Sequence, residues 1–222
     1  DSRVTVDVDF LLRQMPNTHE QLRAVLEEII TAPTENEFVT FEITDVAPIA
    51  VAKKYAGIGA SLVAHIKNTR TPFSIDFGVG DVIVPKQEKR KIPTQLDDFT
   101  SPTVNTYSLE TTIAEKLDAI LDLMEFSSRM KDYYDLYIFT SLKWDKIDKE
   151  ILKKAILNTC NNRESNEYLN DSDYYIDMIC KNEFIKKLWN DYKNKYSYAK
   201  NISFENTIKA IEKINDVVKE SA

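Results

Sequence analysis

The sequence predicts an α+β (α/β) protein in which a mixed-sheet domain is followed by a C-terminal helical bundle domain. Strand-like alternation of apolar and polar residues is concentrated in the first part of the chain, and all four glycines lie before residue 81. Beyond residue 105 the chain has no glycine or proline, and apolar residues recur at helical spacing. We therefore expect two domains, residues 1–104 and residues 105–222.

The first domain is predicted to open with a strand over residues 4–12, where apolar and polar side chains alternate. An amphipathic helix is predicted over residues 20–30, and Thr18 and Gln21 have capping-box spacing at its start. Further strand-like runs cover residues 37–43, 61–66 and 73–77. Together these elements predict a mixed sheet with one or more helices.

The second domain is predicted to consist of helices that pack against or beside the sheet. Apolar residues in this part of the chain recur every three or four positions, which is the spacing of one helix face. The predicted helices cover residues 106–126, 128–141, 147–159, 173–180, 182–195 and 203–219.

The composition limits the cellular compartments and the types of catalytic site that the chain is expected to have. No apolar run approaches the roughly 20 residues of a membrane span, and we expect neither a membrane segment nor a leader. The two cysteines, Cys160 and Cys180, match neither a disulfide framework nor a zinc spacing, which favours a reducing cytoplasm. The two histidines, His19 and His65, argue against a zinc site or a histidine-based triad. Any catalysis must therefore use carboxylates and lysines.

Charge is unevenly distributed along the chain. Residues 1–142 hold 22 acidic and 14 basic residues, a net charge of −8, whereas residues 143–222 hold 14 acidic and 15 basic residues, a net charge of +1. The acidic first part argues against a broad nucleic-acid groove there. It is compatible with a cluster of carboxylates that holds a divalent cation.

Two acids of the first strand, Asp7 and Asp9, are two residues apart, so their side chains leave the same face. This pattern has two interpretations, a solvated strand face or a cation site that relieves the repulsion between like charges. Asp76, between two apolar residues of another strand-like run, would complete a three-carboxylate cluster if it shared that face. Oxygen ligands without histidine or thiolate favour Mg²⁺ or Mn²⁺, and such a cluster supports in-line displacement at phosphorus.

Four segments in order carry a family resemblance. Residues 3–10 read RVTVDVDF and residues 74–81 read SIDFGVGD. Residues 107–117 read YSLETTIAEKL, and residues 129–136 read RMKDYYDL. Together they resemble the motifs of the AbiEii/AbiGii toxin family of minimal nucleotidyltransferases, which belongs to the DNA polymerase β-like superfamily. The helices from about residue 145 onward match no motif of that family.

The resemblance implies a Mg²⁺-dependent nucleotidyltransferase that moves a nucleoside monophosphate from an NTP to an acceptor hydroxyl. It also implies a toxin of a toxin–antitoxin or abortive-infection system, with RNA, in particular tRNA, as the expected acceptor and a cognate antitoxin as partner. The residues it assigns to catalysis are Asp7, Asp9, Asp76, Lys116 and Asp132. Of these, the three acids on strands are the expected metal ligands.

The resemblance further assigns Thr5 and Lys116 to nucleotide binding. Lys116 also has a structural interpretation, because a lysine at the edge of an apolar helix face commonly buries its stem and extends its ammonium to water. Asp132 has one as well, since Arg129 lies three residues before it and the two could pair to hold two helices together. We expect Asp135 to orient Arg129 or a helix end.

The family carries a glycine-rich turn a little upstream of its first acidic strand, and we expect that turn to precede Asp1. Its true absence would favour a catalytically inactive interaction module, and a small-molecule (antibiotic-type) nucleotidyltransferase is a further alternative. The basic residues Lys86, Lys89, Arg90 and Lys91 are predicted to form a loop. That loop is either simply solvated or steers a phosphate-rich acceptor.

Overall fold

The protein is described here by a computed structural model, which covers residues 7–13, 18–33, 38–49, 57–94 and 98–219. The chain divides into two compact units, one that ends at Asp81 and one that begins at Val82. The first unit holds a four-stranded mixed sheet and the second is mainly helical, which confirms the predicted fold class. The domain boundary expected near residue 104 stays a prediction.

The first unit, called the sheet unit below, is built on four strands in the order β1-β4-β3-β2. Strand β1 runs parallel to β4, whereas β3 is antiparallel to both β4 and β2. Its elements are β1 (Asp7–Leu12), α1 (His19–Thr31), β2 (Thr40–Ile49), β3 (Gly57–Ile66) and β4 (Thr69–Val79).

Helix α1 covers one face of this sheet. The predicted cap is present, because the Thr18 side chain accepts a hydrogen bond from the backbone N–H of Gln21, and the helix begins at His19, one residue before the predicted start. Leu22 and Leu26 of the helix are buried, and they belong to the same apolar cluster as Phe77 of β4. Since side chains alternate along a strand, the positions next to Phe77 on either side lie on the opposite face of the sheet.

The helical unit begins with a two-stranded ribbon and continues with seven helices among the described residues. A buried core joins these helices, with the indole of Trp189 donating to the Ile202 carbonyl oxygen at 3.1 Å. The ribbon consists of β5 (Glu88–Lys91) and β6 (Thr103–Thr106). The helices are α2 (Leu109–Leu123), α3 (Met130–Leu142), α4 (Lys149–Arg163), α5 (Asn166–Asn170), α6 (Ser172–Lys181), α7 (Glu183–Lys195) and α8 (Phe204–Lys219).

The structure corrects several predicted bounds. Helix α2 begins at Leu109 because Ser108 caps it, accepting from the N–H of Thr111 at 3.1 Å. Strand β2 continues to Ile49 through an irregularity after Ile43, which interrupts the alternation on which the prediction rested. The predicted basic loop contains strand β5, and α5 was not predicted.

No helix within the described ranges combines the length and the apolar character that crossing a bilayer requires.

A substitution at Gly57 tests how closely the strands of the sheet pack. We expect Gly57→Ala to lower the free energy of unfolding of the sheet unit by roughly 1–3 kcal/mol, because the new methyl group would meet the Phe77 carbonyl oxygen at 2.8 Å. In the control Gly78→Ala, the nearest atom lies 3.9 Å away, so stability should stay the same or rise by up to about 1 kcal/mol. Native-state hydrogen exchange of β3 amides measures both changes. Equal loss of protection in the two variants would contradict the packing described.

Candidate active-site residues

The register of β1 against β4 determines which acids of the sheet unit are neighbours. Asp9 lies directly opposite Asp76, and Asp7 lies opposite Ser74. Residues in register on adjacent strands share a face, and neighbouring strands lie about 4.8 Å apart. Asp9 and Asp76 are therefore neighbours on the face opposite to the one that contributes Phe77 to the core.

Gly59 flanks Asp76 on its other side. It is the residue of β3 that pairs with Asp76, and a Cβ added to it would lie 3.4 Å from Asp76 Oδ1. The same Cβ would lie 3.0 Å from a methyl carbon of Ile49. A larger residue at this position would therefore crowd both Ile49 and the Asp76 carboxylate.

The end of β4 turns next to the same face. Gly80 has a φ of 85°, a conformation that glycine adopts readily, and it directly precedes Asp81. A carboxylate oxygen of Asp81 lies 4.0 Å from where a Cβ of Gly78 would be, and Gly78 follows Asp76 by two residues. Asp81 thus follows the turn, and its carboxylate approaches the strand face that carries Asp76.

The donor set on this face consists of oxygen atoms alone. Among the side chains that the structure describes, no three His, Cys, Asp or Glu residues form a metal-binding group. Asp9 and Asp76 form a pair, and the side chain of Asp7 lies outside this description. Two adjacent carboxylates with no histidine or thiolate beside them fit a hard divalent cation such as Mg²⁺.

In the helical unit, Lys116 of α2 binds two acids of α3. Its ammonium lies 2.6 Å from Asp132 Oδ1 and 2.9 Å from Asp135 Oδ2. The Lys116 side chain is 17% exposed, so part of it reaches the surface. An ammonium group has three donors, and two contacts leave it the capacity for one further hydrogen bond.

Asp132 is the centre of this network. Its side chain is fully buried, and while Oδ1 binds Lys116, Oδ2 accepts from Arg129 Nε at 2.6 Å. Burial by itself raises the pKa of Asp132, but the charge of Lys116 and the hydrogen bonds from Arg129 and Lys116 outweigh it. The pKa of Asp132 is consequently lowered, and the carboxylate is charged at neutral pH.

Other acids of α2 attach that helix to α4. Glu110 accepts a hydrogen bond from the N–H of Asp148, the residue that caps α4, at 3.1 Å. At the other end of α4, Arg163 forms ion pairs with Glu115 and Asp118. The sequence did not indicate Arg163, because nothing in its local pattern reveals a partner 45 residues earlier.

The structure thus brings the predicted residues together in two groups. Asp9 and Asp76 are adjacent in the sheet unit, with Asp7 located by its backbone alone. Lys116 and Asp132 are joined in the helical unit. The list of predicted site residues includes Thr5, which lies outside the described residues.

The sequence left both a structural and a catalytic interpretation open for Lys116 and Asp132, and the structure shows which contacts they make. The Arg129–Asp132 pair that the spacing suggested is present, and Asp135 binds Lys116, which the sequence did not indicate. Asp132 therefore holds Lys116 as well as Arg129. The roles of Lys116 and Asp132 in catalysis stay predictions.

The mixed sheet, the helical region and the adjacent strand acids define a protein of the nucleotidyltransferase fold class. The chain belongs to the AbiEii family, since the family model described as nucleotidyl transferase AbiEii toxin, type IV TA system, matches residues 1–210. No curated protein matches the chain.

Two solved structures are similar in outline. One is a candidate nucleotidyltransferase from H. pylori, at 13% identity and a TM-score of 0.46 over 98% of this chain and 80% of that chain. The other is JHP933 from Helicobacter pylori, at the same identity and TM-score over 98% of this chain and 77% of that chain. At this level of likeness neither comparison carries an argument about function.

Removal of the Asp132 charge tests the network of the helical unit. We expect Asp132→Asn to lower the free energy of unfolding by roughly 3 kcal/mol, because the variant breaks two contacts of a fully buried charge. In the control Asp177→Asn, the lost partner is Lys181 in an exposed pair, so the cost should stay below about 1 kcal/mol. Urea unfolding followed by the fluorescence of Trp144 and Trp189 measures both. Equal losses would contradict a central role for Asp132.

Asp132 also makes stability depend on pH. Because its pKa in the folded protein lies below the ordinary value of 3.8, its contribution is fully present above that pH. The contribution is lost as the pH falls through the lowered pKa. The difference in unfolding free energy between wild type and Asp132→Asn should therefore shrink as the pH falls from neutral to about 2–3. A difference that stays constant over this range would exclude the proposed electrostatic origin.

Proposed function

We propose that this chain is a toxin that transfers a nucleoside monophosphate from an NTP to an acceptor hydroxyl, with Mg²⁺ or Mn²⁺ as the cofactor. The membership in the AbiEii family supports nucleotidyl transfer within a toxin–antitoxin system, which implies a cognate antitoxin. We propose tRNA as the acceptor and the cytoplasm as the location. The observation that carries the proposal is the in-register pairing of Asp9 with Asp76.

Asp9 and Asp76, together with Asp7 two residues before Asp9, are the acids that would hold the cation. All three are carboxylates, and regular alternation along β1 assigns Asp7 and Asp9 to one face. When bound, the cation would supply positive charge to the reacting phosphate oxygens. Gly59 contributes by carrying no side chain, because a Cβ there would lie only 3.4 Å from Asp76 Oδ1.

The proposed reaction breaks one bond and forms one at the α-phosphorus of the NTP. The acceptor hydroxyl oxygen bonds to that phosphorus, and the bond from the phosphorus to the bridging oxygen breaks, so pyrophosphate leaves with the electron pair. The hydroxyl proton needs an acceptor, and we assign this role to Asp76, the more shielded of the two described strand acids. Positioning and charge stabilisation then account for most of the catalysis.

We assign Lys116 to the NTP phosphates, since its ammonium keeps one donor beyond those used by Asp132 and Asp135. Asp132 is fully buried and both of its oxygens are engaged, so we propose that it acts through Lys116 as a positioning residue. Thr5 stays a predicted nucleotide contact.

The test uses the full chain with α-labelled NTPs, Mg²⁺ and total bacterial tRNA. We expect Asp9→Asn and Asp76→Asn each to reduce label transfer to RNA by about a hundredfold or more, because each removes charge from the reacting centre. The control is Asp45→Asn, an exposed acid on β2, roughly 10 Å from the β4 strand. It should retain wild-type transfer, and all variants should keep the circular dichroism of the wild type.

The outcomes separate the alternatives. Label on an added aminoglycoside but none on RNA would replace this proposal with a small-molecule nucleotidyltransferase. Absence of NTP binding by calorimetry, with and without Mg²⁺, would replace it with an inactive interaction module. Transfer that persists in both acid variants would remove the proposed role of the β1–β4 carboxylates.

A further inference from the structure

We propose that one face of the β5–β6 ribbon binds the phosphate backbone of RNA. The inference rests on the proposed function, in which RNA is the acceptor, and it assigns a binding element for that acceptor. The observation behind it is a set of exposed hydrogen-bond donors on a two-stranded ribbon in a chain whose net charge is −7.

The register of the ribbon sorts its side chains onto two faces. Lys89 pairs with Asn105, and Lys91 pairs with Thr103, so these four residues share one face, which we call the donor face. All four are exposed. The opposite face, which we call the inner face, carries the half-buried Val104 and Thr106 beside the exposed Glu88 and Arg90.

The charges on the two faces differ. On the inner face Arg90 is neutralised by Glu88, with its guanidinium nitrogens 2.6 and 3.0 Å from a carboxylate oxygen. The donor face holds no acid, and within the described residues neither Lys89 nor Lys91 forms an ion pair. The alternation of strand β5 therefore separates the basic residues seen in the sequence. Lys89 and Lys91, which form no ion pair within the described residues, lie together on the donor face.

The chemistry of the donor face fits phosphate. Two ammonium groups, one hydroxyl and one amide are the side-chain donors that proteins use for phosphate and sugar contacts. Lys89 and Lys91 stand about 7 Å apart along the strand, within reach of neighbouring phosphates of one nucleic-acid strand. The face has no aromatic ring and no apolar side chain, so it offers backbone contacts without base stacking.

The ribbon has a firm base on α2. Thr111 Oγ1 donates to the Val84 carbonyl oxygen at 2.8 Å and accepts from the Val84 N–H at 3.2 Å. Ser108, just after β6, donates to the same carbonyl oxygen at 3.1 Å. Both hydroxyl side chains are buried, so the chain entering and leaving the ribbon is attached to the first turn of α2. Lys116 lies eight residues after Ser108, about 12 Å along the helix.

The experiment measures the affinity of the full chain for fluorescein-labelled bulk tRNA by anisotropy over a series of KCl concentrations. EDTA is present and NTP is omitted, so binding is read without catalysis. We expect Lys89→Gln/Lys91→Gln to weaken binding about ten- to a hundredfold and to reduce the slope of log affinity against log salt by about 2. The matched control, Lys154→Gln/Lys187→Gln, removes two exposed charges from α4 and α7 and should bind like the wild type.

Each other result overturns the inference. Wild-type affinity in the ribbon variant, equal weakening in the control, or no tRNA binding by the wild type would each do so. Poly-glutamate serves as a second probe. If Lys89→Gln/Lys91→Gln loses binding to poly-glutamate while its tRNA binding is unchanged, the donor face docks an acidic protein instead of RNA. Failure of the proposed function is a separate outcome, since Asp9→Asn should strongly reduce transfer and still bind tRNA normally.

Discussion

The pairing of β1 with β4 is the constraint on which the proposed chemistry depends. It places Asp9 beside Asp76, and adjacent carboxylates repel each other unless a cation or a proton lies between them. The core on the opposite face of the sheet, with Leu22 and Leu26 of α1, keeps the strands in register. Burial on one face therefore stabilises a charged arrangement on the other.

The sequence predicted the strands that carry these acids, because apolar and polar residues alternate along both of them. Their register could not be read from either strand alone, since a slip of one residue would have moved Asp76 to the face of Phe77. Strand β3 begins at Gly57, before the predicted residue 61, because the glycines at its start gave no strand-like pattern. Gly57 and Gly59 lie where a larger side chain would collide with neighbouring atoms. The β5 strand was missed because its exposed, charged residues show no apolar alternation.

In the helical unit, the three-residue spacing of Arg129 and Asp132 indicated their contact. The contacts of Lys116 join α2 to α3, and the spacing of residues within one helix cannot predict contacts between helices. The family resemblance pointed to Lys116 and Asp132, and the structure adds that the acid is buried while the lysine is partly exposed. This difference agrees with the roles proposed above, in which the lysine meets phosphate and the acid fixes its position. Arg163 at the end of α4 pairs with Glu115 and Asp118 of α2, so these two acids of α2 serve packing between helices.

The most direct test of the account is where a divalent ion binds the sheet. Mn²⁺ broadens the NMR signals of nearby nuclei, so substoichiometric Mn²⁺ added to the ¹⁵N-labelled full chain would locate the site. If the paired strand acids hold the cation, the amide signals of Asp9, Gly59 and Asp76 should broaden first among those of the sheet unit. Broadening centred elsewhere, or none at these amides, would contradict the claim that the paired strand acids hold the cation.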